Sequence, residues 1–169
     1  MSKRAAALAD GLQQATDDVD RFIEDVSDEG WQATCPGEQC TVAALICHIG
    51  TGNTGMLKSI VMPVAEGTAR PAFSPDDLHR WNAESALRNA TASREGARAM
   101  LREGSAPAIA YIRTLSDAQL ATTFELPMRP EPVTLGDMIE YGMIGHPREH
   151  LASARAAAGS SASGTVSSS

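Results

Sequence analysis

The chain has 169 residues, enough for one domain with a sizeable core. Acidic residues outnumber basic ones 21 to 14, a net charge of −7, and no basic stripe runs along any segment, which excludes a phosphate-tracking nucleic-acid surface. No apolar run reaches the ~18–20 residues of a membrane-spanning helix, and three cysteines make no disulfide framework.

Alanine is abundant and the strand-favouring residues are sparse, which predicts a helical protein. Met1-Ser2-Lys3-Arg4 leads into an alanine-rich amphipathic segment instead of a secretory hydrophobic stretch, so a cytoplasmic location is expected. Leu8, Leu12, Ala15, Val19, Phe22 and Val26 recur in steps of four and three, with Asp17, Asp18, Asp20, Glu24 and Asp25 mainly off that stripe. That spacing predicts a first long helix, stopped by Asp28-Glu29-Gly30. Trp31 to Cys40 is expected to be a loop, with turn chemistry at Pro36-Gly37.

Thr41 is a natural N-cap for a second helix over 42–61, which Pro63 is expected to end. Its first half is apolar nearly all round and belongs in the core, while Gly50, Gly52 and Gly55 permit close approach of a backbone or ligand. After a loop over 63–73, Ser74-Pro75-Asp76-Asp77 starts a third helix: an N-cap, proline at the first helical position and acids in the first turn. Leu78, Trp81, Ser85, Ala92, Gly96 and Ala99 can share one face of it, and Gly104 to Pro107 is expected to break or kink it before the pattern resumes over 108–115. Ser116 to Leu120 reads as a short capped turn, and Pro127, Pro130 and Pro132 mark a loop. Thr134-Leu135-Gly136-Asp137 resembles a capping box at the start of a last helix over 135–158. The expectation is an all-α four-helix bundle with crossover loops over 1–158, followed by a flexible Ser/Gly/Ala-rich tail over 159–169.

Four histidines are present. His146 and His150 lie four apart on the last helix, a spacing that puts two imidazoles on one face, with Cβ atoms roughly 5–6 Å apart. By themselves they read equally as a solvated face or a ligand pair. Their face continues through Gly142, Ile139 and Leu135, core-type residues. His48, taken alone, reads first as a core histidine satisfied by a hydroxyl or carbonyl, since an unpartnered imidazole in so apolar a helix is costly. A core-facing pair and a core histidine on another helix are expected to meet. Three neutral imidazoles suit Zn²⁺, Ni²⁺ or Fe²⁺ and leave open positions for water or a thiol. Pro147 between the two ligands removes a backbone donor and predicts a kink. His79, beside Arg80, is expected at the surface. Cys35 and Cys40, with Cys47 and His48, form a looser rival zinc pattern, and Cys47 reads as a small core residue. Arg80, Trp81, Asn82 and Glu84 are pocket candidates whose plainer reading is a core tryptophan in a solvated turn.

Trp31, Thr34-Cys35-Pro36-Gly37 and Thr41 through Ile49, with His48 near their end, resemble the loop-to-helix entry of the DinB/YfiT-like superfamily of metalloenzymes. They are particularly similar to its mycothiol-dependent maleylpyruvate isomerase branch, although Glu38-Gln39-Cys40 stands where that branch has a single Trp. Gly145-His146-Pro147-Arg148-Glu149-His150-Leu151 resembles the closing H-x3-H motif of the superfamily, where that branch commonly ends in aspartate. Over residues 5–157 the resemblance implies a four-helix bundle holding a divalent metal through His48, His146 and His150. It further implies an S-transferase or isomerase that uses mycothiol or another low-molecular-weight thiol on a small-molecule substrate, and a homodimer. A metal-dependent hydrolase and a non-enzymatic metal-binding bundle are the other readings compatible with the same residues.

Overall fold

The computed structural model describes residues 2–69 and 71–162, with side chains through Ser160. Its architecture follows the expected all-α plan. The first rod is α1 (Lys3–Asp25), capped by the Ser2 hydroxyl on the Ala5 amide; it buries Leu8, Leu12, Ala15, Val19 and Phe22 as the stripe predicts. The chain then makes a five-residue helix, α2 (Asp28–Gln32), where a stop and a loop were expected. Ser27 accepts from the Gly30 amide and nucleates that turn. Trp31 is thereby turned inward, 4 % exposed.

Residues expected as loop next form a small antiparallel ladder, β1 (Thr34–Cys35) with β2 (Cys40–Thr41), in the register Thr34–Thr41 and Cys35–Cys40. Thr41 caps α3 (Val42–Met56) through the Ala44 amide, as its position predicts. The second rod does not end at Pro63. It passes through a wide π turn, Leu57–Val61, into α4 (Met62–Glu66), which closes at Gly67 with φ 66°. The Met62 amide bonds back to the Leu57 carbonyl, five residues away. That change of register frees the position where Pro63 would otherwise break an α-helical bond, so the proline opens a new helical segment.

The third rod also departs from expectation. α5 (Pro75–Asn89) starts at the predicted Ser74 cap, a full capping box with Asp77, but buries no residue and lies against α3 outside the bundle. The bundle rod is α6 (Arg94–Thr114), which runs unbroken through Gly104 and Pro107. The interruption falls at 90–93 instead. Ser93 caps α6 there, and the Ala90 and Ala92 carbonyls accept from Thr41 Oγ1 and Trp31 Nε1, both at 2.8 Å. Gly104 is retained within a helix because α6 crosses α3 at that point: a Cβ on Gly104 would stand 2.1 Å from the Gly50 carbonyl oxygen. Pro107 cannot bond to the carbonyl of Glu103, which belongs to an exposed residue on the outer face of the rod.

α7 (Asp117–Leu120) carries its predicted cap, and a second small ladder, β3 (Thr123–Phe124) with β4 (Val133–Thr134), closes the proline-rich loop. The last rod is α8 (Leu135–Met138), a π turn over Ile139–Gly145, and α9 (His146–Ala162). Helix therefore continues into the expected tail as far as Ala162; residues 163–169 lie outside the described part. Two apolar clusters fill the bundle. One gathers Leu8, Leu12, Leu57, Ile112, Leu135 and Met143, and the other Val19, Ile23, Val42, Ile46, Leu101 and Leu151. Among the described residues no helix is long and apolar enough to cross a membrane.

Candidate metal centre

On the last rod the first apolar cluster ends at Ile144 and the second begins at Leu151. His146 and His150 occupy the gap, half-buried. The π turn delivers them there. The His146 amide bonds to the Tyr141 carbonyl, again five residues back, so Pro147 follows a widened turn just as Pro63 does. The anticipated kink is thus a π turn upstream of the ligand pair, and Pro147 itself packs inside.

His48 approaches from α3. Its ring centroid lies 5.8 Å from that of His146 and 5.2 Å from that of His150, both nearly edge-on. The Nε2 atoms of His146 and His150 are 2.9 Å apart. One ring nitrogen from each of the three histidines falls within 4.8 Å of the others, so all three bring a potential ligand atom to one small volume. Among the described residues this is the only group of three or more His, Cys, Asp or Glu side chains so arranged. The sequence-predicted site residues therefore come together, although His48 lies about a hundred positions before the other two.

Burial sets the protonation state. It pushes His48 down to about 4, with the neighbouring His150 and His146 adding to the shift. Burial also lowers His146, against a raising contribution from Glu149. His150 is lowered by burial and by His146, while Glu38 works the other way. All three are neutral imidazoles at physiological pH and have lone pairs to donate without first losing a proton. A three-imidazole donor set, neutral, half-buried and convergent, fits a divalent transition metal.

The other candidates fall elsewhere. Cys35 and Cys40 face each other across the β1–β2 ladder as free thiols, and Cys47 is buried beside His48. Burial pushes Cys35 and Cys47 up to about 11 and also raises Cys40. The rival cysteine pattern does not assemble around one ion. Trp81 is 49 % exposed and meets Phe73, so it is not a core tryptophan. Arg80 pairs with Asp77, Arg88 with Glu84, and His79 is exposed as expected.

Sequence reasoning missed Glu38 and Ser153. Glu38 sits in the four-residue loop between β1 and β2, with Oε1 3.5 Å from His150 Nδ1. Burial raises its carboxyl, but hydrogen bonds from Ser153, from its own backbone amide and from His150 outweigh that and hold it below the usual carboxylate range. No periodicity marks a loop residue. The only signal was that Glu38-Gln39-Cys40 departs from the entry pattern the flanking residues follow.

A helical bundle with three histidines converging from its second and last rods defines a class of metal-site bundles. The family model of the DinB superfamily matches residues 11–154, and the chain belongs to that superfamily. No curated protein and no solved structure matches the chain.

Proposed function

We propose that His48, His146 and His150 hold one divalent cation, zinc, nickel or iron, and that the chain is a metal-dependent transferase or isomerase acting on a small electrophile with a low-molecular-weight thiol such as mycothiol. The observation that carries this reading is the convergence of three neutral imidazoles in a half-buried gap between two apolar clusters. When bound, such an ion supplies Lewis acidity, lowering the pKa of a thiol or water that reaches its open positions. The protein's part is to keep the donors neutral by burial and to hold them from rigid helices. His48 is fixed by α3, whose position is set by the Gly50–Gly104 crossing, and the pair is fixed by the π turn that precedes it.

The chain's own thiols are poor nucleophiles. Cys35 and Cys47 are buried with their thiols held at about 11, so few are ionised near neutral pH. A reacting sulfur is therefore expected from a co-substrate, which agrees with the thiol-dependent branch that the entry segment resembles.

Metal analysis of the purified protein beside His48→Ala and His150→Ala tests the site. About one divalent ion per chain is expected in the parent and loss in both variants; a parent that resists loading, or a variant that keeps its metal, overturns it. Conjugation of a generic electrophile is then compared with ester hydrolysis. Conjugation that requires added thiol supports the transferase reading. Ester hydrolysis without any thiol requirement removes it in favour of a hydrolase.

A further inference from the structure

Glu38 belongs to the site although no metal-ligand motif contains it. The Nε2 atoms of His146 and His150 point at each other across 2.9 Å. If both face the ion, the remaining proton of His150 must sit on Nδ1. Glu38 Oε1 stands 3.5 Å from that atom, half-buried like the ring it faces. The alternative tautomer would leave a carboxylate opposite a lone pair.

Three further observations show that the carboxylate is held in place. Ser153, one turn beyond His150 on the same helix, lines the same surface hollow as Glu38 and helps to hold its carboxyl low, so α9 carries both the ligand and a neighbour of its partner. The Gln39 amide closes the loop on the Cys35 carbonyl at 2.8 Å. Gln39 itself adopts φ 54°, the only non-glycine residue at positive φ among those described. That left-handed residue turns the chain back into β2 immediately after Glu38, and a backbone outlier beside a half-buried carboxylate is a conformation that its surroundings must maintain.

We infer that Glu38 is a positioning residue: through Nδ1 it fixes the tautomer and ring orientation of His150, so that Nε2 is presented to the cation. The inference rests on the three-histidine reading above. Its chemistry is that of a carboxylate behind a metal-ligating imidazole, which holds the ring and raises its basicity. Ser153 acts one step further out by keeping the carboxylate aimed.

The experiment uses zinc as the probe and has two arms. In the first, zinc affinity is measured by competition with a chromophoric chelator for the full-length parent, Glu38→Ala and Glu38→Gln. The expected result is about one ion per chain throughout, with affinity weakened roughly 10–100-fold in Glu38→Ala and less in Glu38→Gln, whose amide oxygen still accepts. In the second arm, long-range ¹H–¹⁵N NMR of the metal-free protein reports the His150 tautomer. The parent is expected to carry its proton on Nδ1, and Glu38→Ala to shift toward a mixture while the His48 signals stay put. Unchanged affinity together with an unchanged tautomer in Glu38→Ala overturns the role of Glu38. A parent that takes up no zinc overturns the metal reading instead, and the tautomer arm still decides whether Glu38 governs His150.

Discussion

The crossing of α3 and α6 makes a sharp prediction, because Gly104 of α6 packs against the α3 backbone while Gly55 of α3 faces open space. In Gly104→Ala the added Cβ would lie 2.1 Å from the Gly50 carbonyl oxygen and 3.0 Å from its carbon, a contact with backbone that no rotamer change relieves. Alanine gains about 1 kcal/mol in helix propensity over glycine. Overpacking costs typically 1–3 kcal/mol, and a backbone clash belongs at the upper end. The net expectation is about 2 kcal/mol of destabilisation. Gly55→Ala is the control: it lies on α3, and a Cβ there meets nothing within 4 Å. It should collect the propensity gain alone, up to about 1 kcal/mol. For a chain of this size 1 kcal/mol moves Tm by roughly 2–4 °C. Circular dichroism melts should therefore place Gly104→Ala about 4–8 °C below the parent and Gly55→Ala at or above it, with urea midpoints in the same order. Since Gly50 is two residues from His48, Gly104→Ala should also weaken zinc binding while Gly55→Ala leaves it intact. Gly104→Ala as stable as Gly55→Ala would show that the rods do not cross in contact and would remove the account of why α6 runs through Gly104.

Other expectations follow from single features. Gln39→Gly relieves a left-handed residue, worth about 1–2 kcal/mol, against about 0.5–1 kcal/mol of extra unfolded-state freedom; the urea midpoint should rise slightly, and a clear fall would mean that Gln39 makes a contact outweighing its strain. Asp20 is held below the usual carboxylate range by its hydrogen bonds from Arg98, at 2.7 Å, partly offset by burial. Its folded pKa is depressed, so its contribution is complete above the unfolded value of about 3.9 and is lost as pH falls through the folded one. The stability gap between the parent and Asp20→Asn should therefore close as urea titrations move into strong acid, and a gap independent of pH would rule the ion pair out as its source. For the thiols, Cys40 is half-buried while Cys35 and Cys47 are 1 % and 0 % exposed. Mass spectrometry after brief alkylation of the native protein should find Cys40 modified first and Cys47 only on denaturation; early labelling of Cys47 would mean that the α3 interior opens readily.

Local signals in the chain foretold much of this architecture. The caps at Thr41, Ser74, Ser116 and Thr134 all hold in the structure, because a side-chain oxygen reaching an amide three residues on depends on nothing beyond a few neighbouring positions. The stripe of α1 was equally legible, since a 3.6-residue period is written in the order of the side chains themselves. The same holds for the choice of His48, His146 and His150: their type, their spacing and the apolar company they keep mark them as candidates before any fold is known.

Three features were not legible, and they share a cause. Pro63, Pro107 and Gly104 carry local penalties that predict ends or kinks, yet helix continues past each of them. A π turn gives way ahead of Pro63, the bond that Pro107 lacks falls at the exposed Glu103, and a glycine contact between rods holds α6 through Gly104. Each local cost of a few kcal/mol or less is small beside the apolar surface that a continuous rod buries. Nor could the order of residues show α5 lying outside the bundle, because a weak stripe does not say whether a partner face is available. By itself the sequence determined the helical class and nominated the three histidines. Only the tertiary structure brought His48 within 4.8 Å of the other two and set Glu38 behind His150, because those contacts join residues roughly a hundred positions apart, over a distance at which no local pattern extends.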